Sequence, residues 1–282
     1  MTQLANQSNP ITVLSYNISY EAMTNNSNGS AGLLGRKCKC IGNSKLTICA
    51  QNMANMVEGI PKSLNVSALD FVGFQEASRW SLLQNAAKYT LAKMGTVSTR
   101  SGKSKMVSFY NDKRYTLTKN FNGEFETDRP FQILVLKDNF FHKNGVIFIN
   151  THNPHGFTFK LVKYHLSKVV STYLTNNEKK YRIIAVGDFN ETGWDWIGNK
   201  LDDKSWEPFD KTIVSNSVSI QNVIYSCCQA NGEWSDGNGG VKKGNRGGDY
   251  IFDSQGSAKI AIPLSYNVNE LQSDHLPIVS VL

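Results

Sequence analysis

The sequence predicts a layered α/β domain, because short apolar runs of strand length outnumber segments with helical spacing. Residues 11–19 are rich in Ile, Val, Leu and Tyr, and residues 69–74 and 182–186 are continuous apolar runs typical of buried strands. Helical spacing occurs at residues 46–60, and Pro61 is expected to end that helix. Further strands are predicted at 106–110, 131–136, 146–150, 250–252, 260–262 and 277–282, a second helix at 161–174, and irregular segments at 24–44 and 201–248.

The length and composition fit one large soluble domain, and we expect a single domain spanning residues 1–282. Hydrophobic residues make up 40% and charged residues 19% of the 282 residues, and no Pro/Gly-rich linker divides the chain. The formal net charge of +7 favours polyanionic partners such as nucleic acid. The N-terminus has no apolar segment of signal-peptide length, and no run is long enough for a transmembrane helix. We therefore expect a soluble, intracellular monomer.

Five cysteines are present, an odd number for a protein held together by disulfides. They are Cys38, Cys40, Cys49 and the adjacent pair Cys227 and Cys228. Free thiols in a reducing compartment are the simplest interpretation. A zinc site that uses Cys38 and Cys40 is the alternative, although its C-x-C spacing differs from the usual C-x₂-C.

Polar residues with catalytic potential occur where the predicted strands end. Asn17 closes the first strand, Glu76 follows the second, and His152 and Asp188 follow two later apolar runs. A sheet fixes the geometry of such positions, while the loops that follow can vary. These residues are therefore the first candidates for an active site.

Six short motifs together resemble the endonuclease/exonuclease/phosphatase superfamily. The resemblance runs from the first strand to the last residue, except at 20–45 and 200–245, where we expect irregular insertions. The motifs are Ser15-Tyr16-Asn17-Ile18, Gly73-Phe74-Gln75-Glu76, Asn150-Thr151-His152, Gly187-Asp188-Phe189-Asn190, Gly248-Asp249-Tyr250-Ile251 and Ser273-Asp274-His275-Leu276-Pro277-Ile278. The resemblance implies an α/β (α+β) fold, a four-layer sandwich of two packed mixed β-sheets flanked by helices.

Phosphodiester hydrolysis requires a hard cation, and Mg²⁺ prefers carboxylate oxygens and water as ligands. Glu76 is the best candidate for the metal anchor, and the resemblance places Asn17 and Asp274 beside it. We expect Mg²⁺ as the cofactor, with Mn²⁺ as a possible substitute.

The remaining motif residues suit proton transfer and phosphate contact. Asp188 and Asn190, with one residue between them, can hold the attacking water and a phosphate oxygen together. His275 would contact the phosphate or deprotonate the water, and Asp249 would bind its other ring nitrogen and fix the tautomer. The resemblance makes His152 a candidate general acid, with His155 as the alternative.

The substrate class is less well determined by the sequence. The Trp-x-Gly-Asp-x-Asn-Tyr-Arg motif of inositol-polyphosphate 5-phosphatases is absent. Basic residues in glycine-containing loops, at 100–105 and at Lys242, Lys243 and Arg246, suit contacts with a phosphate backbone. We therefore expect a nuclease that acts on DNA or RNA with little sequence specificity. The alternatives are a phosphomonoesterase, a sphingomyelinase-like phospholipid phosphodiesterase, and a catalytically inactive binding protein.

Overall fold

A computed structural model describes residues 10–26, 34, 37–99, 105–125, 129–141, 144–154, 172–190, 234–235, 241–242, 249–255, 261–263, 273–275 and 277–282. The strands in these residues are β1 Thr12–Asn17, β2 Cys40–Ile41, β3 Leu46–Thr47, β4 Phe71–Gln75, β5 Gly95–Ser98, β6 Val107–Tyr110, β7 Tyr115–Phe125, β8 Arg129–Asp138, β9 Gly145–His152, β10 Arg182–Asp188, β11 Trp234–Ser235, β12 Val241–Lys242, β13 Asp249–Asp253, β14 Ala261–Pro263 and β15 Ile278–Val281. Most of the expected helix at 161–174 and of the irregular segment at 201–248 lies outside the described residues.

The α-helices of the described residues are α1 Tyr20–Thr24, α2 Ile48–Ser63 and α3 Trp80–Ala86. Helix α2 begins where the Thr47 side chain accepts a hydrogen bond from the amide of Ala50, at 3.0 Å. It continues through Pro61 to Ser63, so the prediction that Pro61 ends the helix is wrong. Hydrogen bonds from the amides of Leu64 and Val66 to the carbonyls of Ile60 and Pro61 close its last turn. These bonds do not use the amide hydrogen that proline lacks, so Pro61 is tolerated near the end of the helix. None of the helices in the described ranges is long and apolar enough to cross a membrane.

Two mixed sheets pack face to face, which confirms the predicted sandwich. The six-stranded sheet has the order β14-β15-β1-β4-β6-β5, and the five-stranded sheet has the order β13-β10-β9-β8-β7. Each contains one parallel pair, β1 with β4 and β9 with β10, among antiparallel neighbours. A core that includes Val13, Phe71, Phe148 and Ile184 fills the space between the sheets. Helices α2 and α3 cover the outer face of the six-stranded sheet through a second core.

The inner faces of the two sheets change from apolar to polar along the strands. Because side chains alternate between the faces of a strand, every second residue points into the space between the sheets. On β10 these residues are Ile184, Val186 and then Asp188; on β1 they begin with Val13 and end with Asn17. All are buried. The carboxyl ends of the parallel strands therefore carry polar groups into a buried space.

A buried network of amide and hydroxyl groups joins the sheets just below these strand ends. Gln75 donates a 2.7 Å hydrogen bond to Asn150 Oδ1, Asn150 donates to Ser108 Oγ at 3.2 Å, and Ser108 donates to Gln132 at 2.9 Å. Gly73 lies beside this network, where an added Cβ would come within 2.5 Å of Val186 Cγ2. The close approach of the sheets at this level therefore requires glycine.

Strand β7 was not predicted from the sequence. Its 11 residues pair along the length of β8 at the edge of the five-stranded sheet, and their exposure alternates along the strand. An edge strand with one exposed face carries few apolar residues, so it lacks the apolar run by which the predicted strands were identified.

Cys38 and Cys49 form a disulfide, whereas Cys40 is exposed and outside any disulfide. The expectation of free thiols is therefore wrong for Cys38 and Cys49, and Cys38 is not available to a zinc site. Both cysteines are buried in the core that packs against the six-stranded sheet, and Cys49 lies in the first turn of α2. Disulfides persist in oxidising compartments, so this bond weighs against the expected reducing environment.

The disulfide should contribute to stability by restricting the unfolded chain. It closes a loop of 11 residues, for which loop-closure entropy gives about 3 kcal/mol. We expect Cys38→Ala/Cys49→Ala to lower the free energy of unfolding by that amount in urea titrations. Cys40→Ala is the matched control and should leave it unchanged. Alkylation of Cys38 and Cys49 in unreduced, denatured protein would contradict the bond.

Candidate active site

Three neighbouring strands place Asp249, Asp188 and His152 in one row. Asp188 is opposite Asp249 in the antiparallel pair of β10 and β13, and opposite His152 in the parallel pair of β10 and β9. All three side chains are buried. His152 Nε2 lies 3.6 Å from Asp188 Oδ2. The register of the five-stranded sheet thus brings these three predicted site residues together.

Each residue of the Gly187-Asp188-Phe189-Asn190 motif has a structural role in the turn after β10. Gly187 has φ of +150°, and a Cβ there would lie 1.9 Å from the carbonyl oxygen of Thr151, so only glycine fits. Phe189 is buried against the Tyr250 ring, with centroids 5.8 Å apart. Asn190 has φ of 54°, and its amide donates to Asp188 Oδ1 at 2.9 Å. This turn fixes the Asp188 carboxylate and leaves its other oxygen facing the site.

The six-stranded sheet contributes Asn17, whose amide group is the hub of the site. Asn17 Nδ2 lies 3.0 Å from Asp188 Oδ2, 3.4 Å from Glu76 Oε1 and 3.3 Å from His275 Nε2. An amide nitrogen has two hydrogens, and carboxylates accept more strongly than imidazole, so these go to Asp188 and Glu76. Asn17 Oδ1 accepts from the amide of Ser19 at 3.1 Å, which holds the side chain in this orientation.

His275 enters the site on the segment that precedes β15. Ser273 Oγ donates to the carbonyl of Asn17 at 2.7 Å and accepts from the amide of His275 at 3.1 Å, so this serine positions the histidine. His275 Nδ1 and Asp249 Oδ2 are 2.9 Å apart, and Nε2 lies 3.6 Å from Asp188 Oδ2. The predicted pairing of Asp249 with His275 is thus present in the structure.

The charges around His275 favour the imidazolium. Burial lowers the pKa of His275, but the charges of Asp249 and Asp188, with the hydrogen bond to Asp249, outweigh it. The pKa of His275 therefore lies well above the ordinary value of 6.5. At neutral pH the ring presents a positive charge to the site.

The carboxylates of the site lie close to one another, and burial together with this proximity raises the pKa of Glu76 and of Asp188. Burial raises the pKa of Glu76, and the charge of Asp274 raises it further, although Glu76 Oε2 accepts from the amide of Tyr20 at 2.9 Å. Burial also raises the pKa of Asp188, against the opposing effect of His275. Glu76 adopts the left-handed conformation, with φ of 55°, which is strained for glutamate.

This donor set fits a hard divalent cation. A cation bound by Glu76 and Asp274 would relieve the repulsion between these two carboxylates. Hard divalent cations prefer carboxylate oxygens as ligands. Asn17 turns its amide nitrogen towards Glu76, so ligation through its oxygen requires a flip that gives up the bond from Ser19. The ligand atoms of Asp188, Asp249 and His275 also lie within 4.8 Å of one another, and they would form a second ion position only with His275 deprotonated.

Arg129 is a site residue that the sequence did not reveal. Its guanidinium contacts the His152 ring and lies 3.9 Å from Glu76 Oε1. Arg129 begins β8, which pairs with β9 in a register that sets Phe131 opposite Thr151. Antiparallel alignment of the two apolar runs, at 131–136 and 146–150, could have brought Arg129 next to His152.

Asn153 is a second contributor that was missed. Its carbonyl accepts from Asn190 Nδ2 at 2.5 Å, and its amide donates to the carbonyl of Asp188 at 2.8 Å. These bonds tie the end of β9 to the turn after β10. The positions of Asn190 and Asp188 thus depend on the residue that follows His152.

The structure brings together Asn17, Glu76, His152, Asp188, Asn190, Asp249, Asp274 and His275. The structure does not test the predicted substrate-binding residues Lys243 and Arg246. Lys242 ends β12, which pairs with β11, and Lys243 and Arg246 lie outside the described residues. His155, the alternative to His152, lies outside them as well.

Sequence comparison identifies a viral relative of unassigned function. No family model matches the chain. Uncharacterized protein L684 of Acanthamoeba polyphaga mimivirus is 31% identical over 191 residues, which are 64% of this chain and 34% of the relative. The chain thus spans about a third of the length of the relative that it matches.

Solved structures resemble the chain over nearly its whole length. The endonuclease/exonuclease/phosphatase protein of Bacteroides vulgatus has a TM-score of 0.61 at 14% identity, covering 97% of this chain and 98% of its own. TDP2 of D. rerio, solved with a single-stranded DNA product, has a TM-score of 0.59 at 12% identity, covering 97% and 99%. ANGEL2, a 2′,3′-cyclic phosphatase solved with adenosine-2′,3′-vanadate, has a TM-score of 0.56 at 17% identity, covering 96% and 95%. The chain has the endonuclease/exonuclease/phosphatase fold that its motifs predicted.

Proposed function

We propose that this protein is a Mg²⁺-dependent phosphodiesterase that hydrolyses nucleic acid with little sequence specificity. The observation that carries the proposal is the convergence of both sheets on the Asn17 amide, which binds Asp188 and Glu76 beside the Asp249–His275 pair. Two crowded carboxylates next to a charged imidazole suit the binding of a cation and a phosphate together. A binding protein without catalysis would have no use for this strained arrangement.

Asp188 is the proposed base that orients and deprotonates the attacking water. Its Oδ1 accepts from the amide of Asn190, so the carboxylate cannot rotate, and its Oδ2 faces the site. The raised pKa of Asp188 makes this carboxylate a stronger base than an exposed one. Asn190 holds the turn and offers an amide to a phosphate oxygen.

His275 is the proposed contact to the phosphoryl group. With Asp249 bound to Nδ1, only Nε2 can address the substrate, and the raised pKa keeps it a donor at neutral pH. Of the two roles expected from the sequence, contact with the phosphate therefore suits His275 better than deprotonation of the water. Asp249 acts through His275 as a positioning residue.

His152 and Arg129 are proposed to act on the side of the leaving oxygen. His152 is placed there as the general acid, and the Arg129 guanidinium contacts its ring. A guanidinium is a planar donor that can bind two oxygens of a phosphate at once. Arg129 is therefore proposed to stabilise charge that develops on the substrate.

Glu76 and Asp274, with Asn17 close by, would hold Mg²⁺ or Mn²⁺. When bound, such an ion neutralises charge on the phosphoryl oxygens. The formal net charge of +7, with Lys242, Lys243 and Arg246 shortly before Asp249, favours a polyanionic substrate. The structural likeness to TDP2 of D. rerio, which was solved with a single-stranded DNA product, supports nucleic acid as the substrate class. We also propose that the protein acts as a monomer.

Activity should depend on a divalent metal bound by Glu76. We expect EDTA to abolish turnover of single-stranded DNA or RNA, and Mg²⁺ or Mn²⁺ to restore it, because the crowded carboxylates need a cation. Glu76→Gln should raise the metal concentration required for half-maximal activity. Glu124→Gln, an exposed glutamate on β7, is the matched control. Full turnover in EDTA would refute this mechanism.

Asp249 and His275 should behave as one unit. We expect His275→Ala to lower turnover by several orders of magnitude and Asp249→Asn to be nearly as damaging. The double variant should be hardly worse than His275→Ala, because residues that act together are not additive. Additive losses in log turnover of the folded protein would rule out the pair.

The His275 pKa gives an independent check on this pair. NMR titration should find it above 6.5 in the wild type and lower in Asp249→Asn. Because the pKa of His275 is higher in the folded than in the unfolded protein, protonation of this ring stabilises the fold. The stabilisation is complete below the unfolded pKa of about 6.5 and is lost as the pH rises through the folded pKa. Loss of stability in Asp249→Asn with an unchanged pKa of His275 would assign Asp249 a structural role only.

Arg129→Ala should lower kcat/KM by about 10²-fold, the usual effect of removing one preorganised donor from a developing charge. Arg129→Lys should recover part of this, because it restores the charge but not the planar fork. Thermal unfolding of each variant provides the control. A loss of stability with normal kcat/KM for the folded protein would mean that Arg129 only packs against His152.

A further inference from the structure

A groove lies near the amino-terminal end of β4, whereas the candidate site lies at the carboxyl-terminal end of the same strand. The site begins at Glu76, directly after β4, whereas this groove includes Leu69, just before β4. At about 3.3 Å per residue the two are roughly 20 Å apart along the strand. The groove has a volume of about 380 Å³, and we call it the lysine groove.

Three lysines from separate elements line the lysine groove. Lys62 lies in the last turn of α2, Lys93 ends the short 3₁₀ helix Leu91–Lys93, and Lys113 follows β6. All three are exposed, and none has a carboxylate partner within the described parts of the chain. Glu58, the one carboxylate of the lining, accepts hydrogen bonds from the amides of Tyr89 and Thr90 at 2.7 and 3.3 Å. The groove therefore carries an excess of positive charge.

An exposed aromatic ring stands beside these lysines. Tyr89 is 78% exposed, and Lys93 Nζ lies 5.5 Å from the centroid of its ring. Pro61, Leu69 and Met94 supply an apolar floor. An aromatic ring next to ammonium groups can stack on a base while the ammonium groups contact the neighbouring phosphates.

We propose that the lysine groove binds the single-stranded part of a nucleic-acid substrate that extends beyond the active site. The phosphates contact Lys62, Lys93 and Lys113, and an unpaired base stacks on Tyr89. Stacking on an exposed ring requires an unpaired base, which selects a single strand over a duplex. The substrate class rests on the proposed function, whereas the groove itself is a separate binding site.

Binding measured without turnover tests the groove. Fluorescence anisotropy of a labelled 30-nucleotide single strand in EDTA compares the wild type with Lys62→Ala/Lys93→Ala/Lys113→Ala and with Tyr89→Ala. We expect the triple variant to bind at least about tenfold more weakly and to lose about 2 from the log–log salt slope, since each neutralised phosphate contributes roughly 0.7 on single strands. Tyr89→Ala should weaken binding about fivefold or more.

The matched control removes three exposed lysines elsewhere, Lys137, Lys179 and Lys180, by substitution with alanine. Equal weakening in the control and groove variants would overturn the proposal. The proposal would also be overturned if the groove variants lost affinity equally for a duplex of the same length. The same holds if these variants lost binding to phosphatidylserine vesicles while they still bound the single strand.

Substrate length separates the groove from the active site. At 3.4 Å per nucleotide a strand needs about 6 nucleotides to span 20 Å. The groove variants should therefore lower kcat/KM on the 30-mer and leave a 4-mer unchanged. Equal losses on both lengths would overturn the groove's role. If no phosphate ester is hydrolysed at all, the proposed function fails, and the anisotropy experiment still decides whether the groove binds nucleic acid.

Discussion

The hydrogen bond from Gln75 to Asn150 joins the two sheets at the level where their shared core changes from apolar to polar. Below it the sheets are held by packed apolar side chains, which have no preferred register. At this level amide groups must find partners, because a buried amide without one is costly. The bond and the close contact at Gly73 therefore fix how the sheets align. The polar groups of the site lie next to this bond, since Asn17 is opposite Gln75 in the six-stranded sheet and His152 comes two residues after Asn150.

That alignment creates a site whose charges are balanced only in part. The Asn17 amide binds Asp188 and Glu76, and His275 offsets Asp188, yet the pKa values of both carboxylates remain raised by burial. Glu76 and Asn190 also adopt left-handed conformations that cost free energy. Strain and buried charge at the same place are expected of a preorganised site, where a cation and a phosphate would complete the balance.

Features that depend on distant partners could not be predicted from local pattern. Strand β7 has one wet face, so its residues do not form an apolar run, and only its pairing with β8 identifies it. Arg129 can be identified as a site residue only from the register of β8 and β9, which brings it to His152.

The sequence by itself determined the fold class and named the candidate residues that the structure brings together, because each motif combines a strand-forming run with a polar residue at its end. Asp188 and His275 could be named in this way, since the chemistry of their side chains and their place after or before a strand are local properties. The tertiary structure decided which groups meet: the bond between Cys38 and Cys49, and the approach of Arg129 to Glu76. Contacts between residues far apart in the chain depend on sheet order and register, which arise from the packing of the whole core.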